Sequence, residues 1–145
     1  VSDAGIFFSG LNTGALLRVN AEMQVTLVCS LPTGCHNAQP FKDGVVFNDT
    51  VSNVVRAVDR SGQSFVQKIM MYPETALDYA GVDSSKIARQ GFARGLCVID
   101  DQLVAVGSSP STITIYDLQA SRRLTGVNLT MDIRNAIHGL EIWPF

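Results

Sequence analysis

No apolar run in this chain approaches the roughly 20 residues that a membrane-spanning helix requires, so no helical span is expected. Positive charge is also scarce. Lysine and arginine total 11 against 13 aspartates and glutamates, a formal net charge of −2. Such a balance offers no basic field for nucleic acid or for an anionic membrane surface. The short runs Arg122-Arg123 and Lys86…Arg89 do not change that balance and read as solvated surface. Cysteine is sparse too: Cys29, Cys35 and Cys97 form an odd set with no C-x-x-C pair. That usage favours reduced thiols and a cytoplasmic location, with a Cys29–Cys35 bridge as the alternative in an oxidising compartment. The start "VSDAGIFFSG" has neither an initiator methionine nor the basic region of a signal peptide, which suggests that residues have been removed. The sequons "NDT" (48–50) and "NLT" (128–130) carry little weight without such a signal. G-x-S-x-G, P-loop and Rossmann patterns are all missing.

What remains is globular, 46% hydrophobic and 17% charged, with the length of one domain spanning 1–145. Its pattern is almost entirely β. Short runs rich in Val, Ile, Phe and Thr, such as "GVVFND", "NVVRAVD" and "TITIYDL", alternate with Gly, Asp, Asn and Ser. Only "ETALDYAGVDSSKIARQ" suggests a turn or two of helix.

These runs repeat. A shift from His36 to Arg94 carries Asp43 onto Asp101, Val46 onto Val104 and Asp59 onto Asp117 without a gap. A shift in the other direction carries Gly44 onto Gly5, "VVRAVD" onto "ALLRVN" and Asp59 onto Asn20. The final "HGLEIWPF" (138–145) then matches "HNAQPFKD" and "RGLCVIDD". The expected fold is therefore all-β, with three four-stranded units of the β-propeller blade type. Two are continuous (36–69 and 94–127), and one is split between 5–29 and 138–145. An insertion covers 72–92. Asp59, Asp117 and Asn20 fall at corresponding strand ends, where a short polar side chain caps a turn. Cys97 lies within an apolar strand and reads as core.

Propellers usually hold about 4 to 8 blades, and three are too few to close a ring. Either two identical chains build a six-bladed ring as a homodimer, each completing the other's split unit, or the chain is half of a longer six-bladed protein. The first is favoured because both ends fall at a blade seam.

The first strand of each blade lines the central channel. Its heads are His36-Asn37, Arg94-Gly95 and His138-Gly139. The neighbouring strand ends Ser9-Gly10, Asn48-Asp49 and Gly107-Ser108-Ser109 are equally polar or small. His36 and His138 are the candidate acid/base residues, because imidazoles move protons near neutral pH. Arg94, Asn37, Asn48, Asp49, Ser108 and Ser109 are the candidate ligand-binding residues, since guanidinium takes carboxylate, phosphate or sulfate bidentately. No metal site is assigned, because arginine separates the histidine pairs, and no cofactor is identified. The alternative is that these polar heads only satisfy strand ends in a water-filled channel. Asp78, Tyr79, Lys86 and Arg89 of the insertion are expected near the same mouth.

At "HNAQPFKDGVVFNDTVSNVVRAVDRSG" the chain resembles the blades of arylsulfotransferase-like six-bladed propellers, which also begin with His-x-Ala and continue through Asp-Gly. The resemblance covers two blades, and the chain is half the length of that family. It implies that His36 is an acid/base or nucleophile and Arg94 an anion clamp acting on sulfate esters. The expected function is binding of a small polar or anionic ligand at the channel mouth. The alternatives are a small-molecule transferase, lyase or hydrolase using channel His and Arg, and a protein-interaction scaffold.

Overall fold

The computed structural model describes residues 5–82 and 88–143. Lys86 and residues 144–145 of the expected last strand lie outside the described residues. Three antiparallel sheets follow one another along the chain. The first holds β1 (Ile6–Ser9), β2 (Ala15–Val19) and β3 (Val25–Ser30) in that order. The second holds β4 (Cys35–Phe41), β5 (Gly44–Asp49), β6 (Val54–Val58) and β7 (Ser64–Lys68). The third holds β8 (Gly91–Val98), β9 (Leu103–Ser109), β10 (Thr112–Asp117) and β11 (Arg122–Asn128).

The sequence repeat matches the starts of the last two strands of each sheet, and the earlier strands start within one or two residues of equivalence. Val54, Thr112 and Ala15 begin β6, β10 and β2, and Ser64, Arg122 and Val25 begin β7, β11 and β3. Corresponding turns use the same device. The carboxamide oxygen of Asn20 accepts the N–H of Gln24 at 2.8 Å, and the Asp59 carboxylate accepts that of Gln63 at 2.9 Å. Asp117 accepts the Ala120 N–H at 2.8 Å. A short side chain thus holds the turn while the backbone reverses.

Each strand alternates between two faces, and facing sheets bury one face each. The second and third sheets meet through Phe41, Val46, Val55, Leu96, Val104, Val106, Tyr116 and Leu118. The first and second meet through Leu16, Leu31, Cys35, Ala38, Val45 and Phe47. The former contact leaves a gap of only about 30 Å³. Beside the latter a cleft of about 730 Å³ stays open. Gly44 sits where a Cβ would come 2.0 Å from the Val58 carbonyl oxygen, so the β5–β6 approach excludes any larger residue.

Within this chain the first sheet has three strands, and residues 138–143 belong to none of the three sheets. Their path is anchored at the third sheet instead, where Gly95 N–H donates to Ile137 O at 2.9 Å. Among its described residues the insertion forms two single 3₁₀ turns, Glu74–Ala76 and Ala80–Val82, before its last two residues enter β8. Its Asp78 pairs in parallel with Asp132, and the Arg134 guanidinium stacks 3.6 Å from the centre of the Tyr79 ring. Asp78 and Tyr79 are therefore spent on the segment after β11, not on the strand heads.

Tyr116 ties the second and third sheets together. Its buried hydroxyl donates to Lys68 O at 3.1 Å and accepts from Met70 N–H at 3.2 Å. Tyr116→Phe leaves both backbone groups without that partner and should cost about 1–3 kcal/mol of stability, measured by urea unfolding.

Candidate functional site

The site grows out of an irregularity in β8. The pairing of β8 with β9 shifts register between Gly91 and Gly95, so the carbonyls in this stretch need partners outside their own sheet. The second sheet supplies them. Thr50 hydroxyl donates to Ala93 O at 2.6 Å, Asn37 amide to Arg94 O, Asn48 amide to Gly95 O at 2.9 Å, and Gln39 amide to Leu96 O at 3.1 Å. Four consecutive carbonyls are thus satisfied by side chains of β4, β5 and the residue following β5. This lacing brings the heads of β4 and β8 side by side.

The same lacing sets the state of His36. The single hydrogen of the Thr50 hydroxyl is committed to Ala93 O, so at 2.9 Å the His36 Nδ1 must be the donor to Thr50 Oγ1. In the neutral ring Nε2 then carries the lone pair. Burial, then the charges of Arg94 and His138, hold the His36 pKa below its ordinary 6.5. Asn37 has a left-handed backbone (φ 49°), which turns its amide across to both Arg94 O and His138 O, the latter at 3.0 Å. Arg94 lies 3.9 Å from the centre of the Phe92 ring, whose other neighbour is Arg89 at 5.0 Å. One Arg94 N–H reaches His138 Nε2 at 3.4 Å, so that nitrogen accepts. Arg94 forms no ion pair with any described carboxylate, and its Nε is buried without a hydrogen-bond partner. The Oδ1 of fully buried Asn48 is in the same condition.

His36, Asn37, Asn48, Arg94 and His138 are thus brought together in one chain. Asp49, Ser108 and Ser109 are placed elsewhere. Adjacent strand residues face opposite ways, so Asp49 turns from the cluster to Arg56 at 3.5 Å and lines the large cleft. Ser109 is buried with its hydroxyl on Ile133 O at 2.6 Å, and Ser108 is buried beside it. Arg89 donates to Thr50 O and, at 2.5 Å, to Asn53 Oδ1, so that this residue of the insertion borders the cluster. Thr50 and Phe92 were not singled out by sequence reasoning. Thr50 sits just past a strand end and Phe92 in an apolar run, and neither position signals a partner 43 or 2 residues away.

Beside the cluster, Asn37, Gln39, Phe8, Ser9, Leu96 and His138 line a cleft of about 350 Å³. Among the described residues no group of three His, Cys, Asp or Glu side chains is arranged to hold a metal ion. Cys29, Cys35 and Cys97 are free thiols, and burial pushes Cys35 up to about 11, which makes it a poor nucleophile. No helix among the described residues is long and apolar enough to cross a membrane. No protein-family model matches the chain, and no curated protein matches it significantly.

The His36 environment has a measurable consequence. A folded-state pKa below 6.5 means that the unfolded chain takes up the proton first. The His36 contribution to stability is therefore present above pH 6.5 and is lost as pH falls through the folded value. In an NMR titration the His36 ring should show a midpoint below 6.5. Arg94→Gln should raise that midpoint only part of the way, because burial is the larger cause.

Proposed function

We propose that this protein binds a small anion or anionic ester at the heads of β4 and β8, with Arg94 as the clamp and His36, Asn37 and His138 around it. The observation that carries this reading is a guanidinium stacked on Phe92, without a described carboxylate partner and with a buried, unsatisfied Nε. An arginine desolvated in this way gains most from an oxyanion, which accepts two of its parallel N–H groups. The adjoining cleft of about 350 Å³ is of the size that small-molecule sites occupy.

The three sheets are in this reading blades of a six-bladed propeller, and the ring is completed by a second copy. The matching strand starts in all three sheets support the blade assignment. The open end of the stack supports the second copy: Ile6, Phe8, Val25 and Leu27 lie on the first sheet's outward side, between 40% and 64% exposed. Light scattering after size-exclusion chromatography should give twice the chain mass of 15.6 kDa; a folded monomer at 100 µM would refute the ring.

A second reading is acid/base chemistry on the bound ester. It is favoured by the fixed His36 tautomer, which presents Nε2 as a base. Under it, His36→Gln removes turnover of an aryl sulfate or phosphate ester while leaving its binding within a few-fold.

The binding reading is tested by calorimetric titration with inorganic sulfate and phosphate. Wild-type protein should give saturable binding that weakens at least ten-fold in Arg94→Gln. Equal affinity in the two proteins would refute the clamp.

A further inference from the structure

We propose that the anion taken at the heads is hydrogenphosphate in preference to sulfate, and that His36 is the residue that tells the two apart. The proposal rests on the anion reading given above and names the class of oxyanion that the same site selects.

The hydrogens around Arg94 carry it. Asn37 spends its two amide hydrogens on Arg94 O and on His138 O, the latter at 3.0 Å. Its Oδ1 remains, and a carboxamide oxygen only accepts. Asn48 gives an amide hydrogen to Gly95 O at 2.9 Å, which fixes the orientation of the group, and its Oδ1 is buried with no donor. Thr50 spends its hydroxyl hydrogen on Ala93 O at 2.6 Å and takes that of His36 Nδ1 at 2.9 Å. The neutral His36 ring has only its Nε2 lone pair left to offer. His36 and Asn48 are cross-strand partners, so the imidazole and this carbonyl share one face of the second sheet. Lacing the carbonyls of β8 has thus turned His36 Nε2, Asn37 Oδ1 and Asn48 Oδ1 into acceptors without a hydrogen. The Arg94 guanidinium, by contrast, holds donors, one of them a buried Nε with no acceptor.

A ligand that completes this set needs oxygens for the guanidinium and a hydrogen for a lone pair. Sulfate brings oxygens alone, so its charge would face the acceptors unrelieved. Hydrogenphosphate has the same double negative charge and tetrahedral shape, and one O–H to donate. An ammonium group also carries hydrogens, but it would stand against Arg94, which has no ion pair with a described carboxylate. Polar groups that one ligand leaves unpaired and another completes discriminate strongly between the two. Of the three acceptors, His36 Nε2 alone becomes a donor on protonation. Burial, Arg94 and His138 disfavour that protonation; Asp49 is turned away to Arg56, and Arg89 is bonded to Thr50 O.

Calorimetric titration at pH 8, where both probes are dianions, compares inorganic phosphate with sulfate at equal ionic strength. Wild-type protein should bind phosphate about ten-fold tighter. As pH falls through the folded His36 pKa, below 6.5, Nε2 becomes a donor and the affinity for sulfate should rise. His36→Gln puts a carboxamide there, whose N–H can turn to sulfate, so the preference at pH 8 should shrink to a few-fold while the far-UV circular dichroism stays that of wild type. Sulfate bound as tightly as phosphate at pH 8, with both weakened by Arg94→Gln, overturns the preference and leaves the anion site standing. An undiminished preference in folded His36→Gln overturns the role of His36. Should that variant not fold, the wild-type series decides, and a sulfate affinity that does not rise between pH 8 and pH 5 overturns the same role. Binding of neither anion removes the anion reading, and the preference with it.

Discussion

Backbone carbonyls that leave their own sheet must find donors elsewhere, and in this protein that requirement organises the rest. At and just after the register shift at the start of β8, the carbonyls of Ala93, Arg94, Gly95 and Leu96 take partners from the second sheet. Thr50, Asn37, Asn48 and Gln39 meet those four carbonyls in order. Each such bond contributes about 1 kcal/mol when made, and a buried carbonyl left without one costs more. The lacing therefore fixes the spacing of β4 and β8 more tightly than apolar packing alone, which tolerates sliding.

The chemistry of the heads is a by-product of that lacing. Thr50 spends its proton on Ala93 and so dictates the tautomer of His36. Asn37 must adopt a left-handed backbone to span Arg94 O and His138 O, and in doing so it draws the tail against Arg94. Arg94 is left with an aromatic ring on one side and histidines on the other. The Arg94 and Arg89 guanidinium groups thus flank Phe92 where the carbonyls of Ala93, Arg94, Gly95 and Leu96 are already taken by structural hydrogen bonds.

The two sheet contacts contrast in a way that matters for assembly. Between the second and third sheets, Tyr116, Phe41 and Leu118 close the gap. Between the first and second a wide cleft stays open, and the first sheet is also the one with three strands. The least-filled contact and the unpaired edge therefore lie at the same end of the stack, while the third sheet already has residues 133–142 passing over it.

Strand positions, turn caps and the repeat were legible in the sequence because they depend on neighbours within a few residues. Alternation places side chains on faces, and Asn20, Asp59 and Asp117 stop strands through contacts no more than four residues away. The convergence of His36, Asn37 and Arg94 was also readable, since it follows from aligning equivalent strands. The exact partners were not. Asp49 was read as a head residue, but strand pleating turned it to Arg56. Asp78 and Tyr79 went to the segment near Asp132 and Arg134. The roles of Thr50 and Phe92 depend on a register shift that no local pattern announces. The sequence by itself determined the alternating strands and their repeat, because side-chain periodicity is a local property. Only the tertiary structure decided which carbonyls lacked partners, and hence which side chains were left to form the site, because that depends on how separate sheets meet.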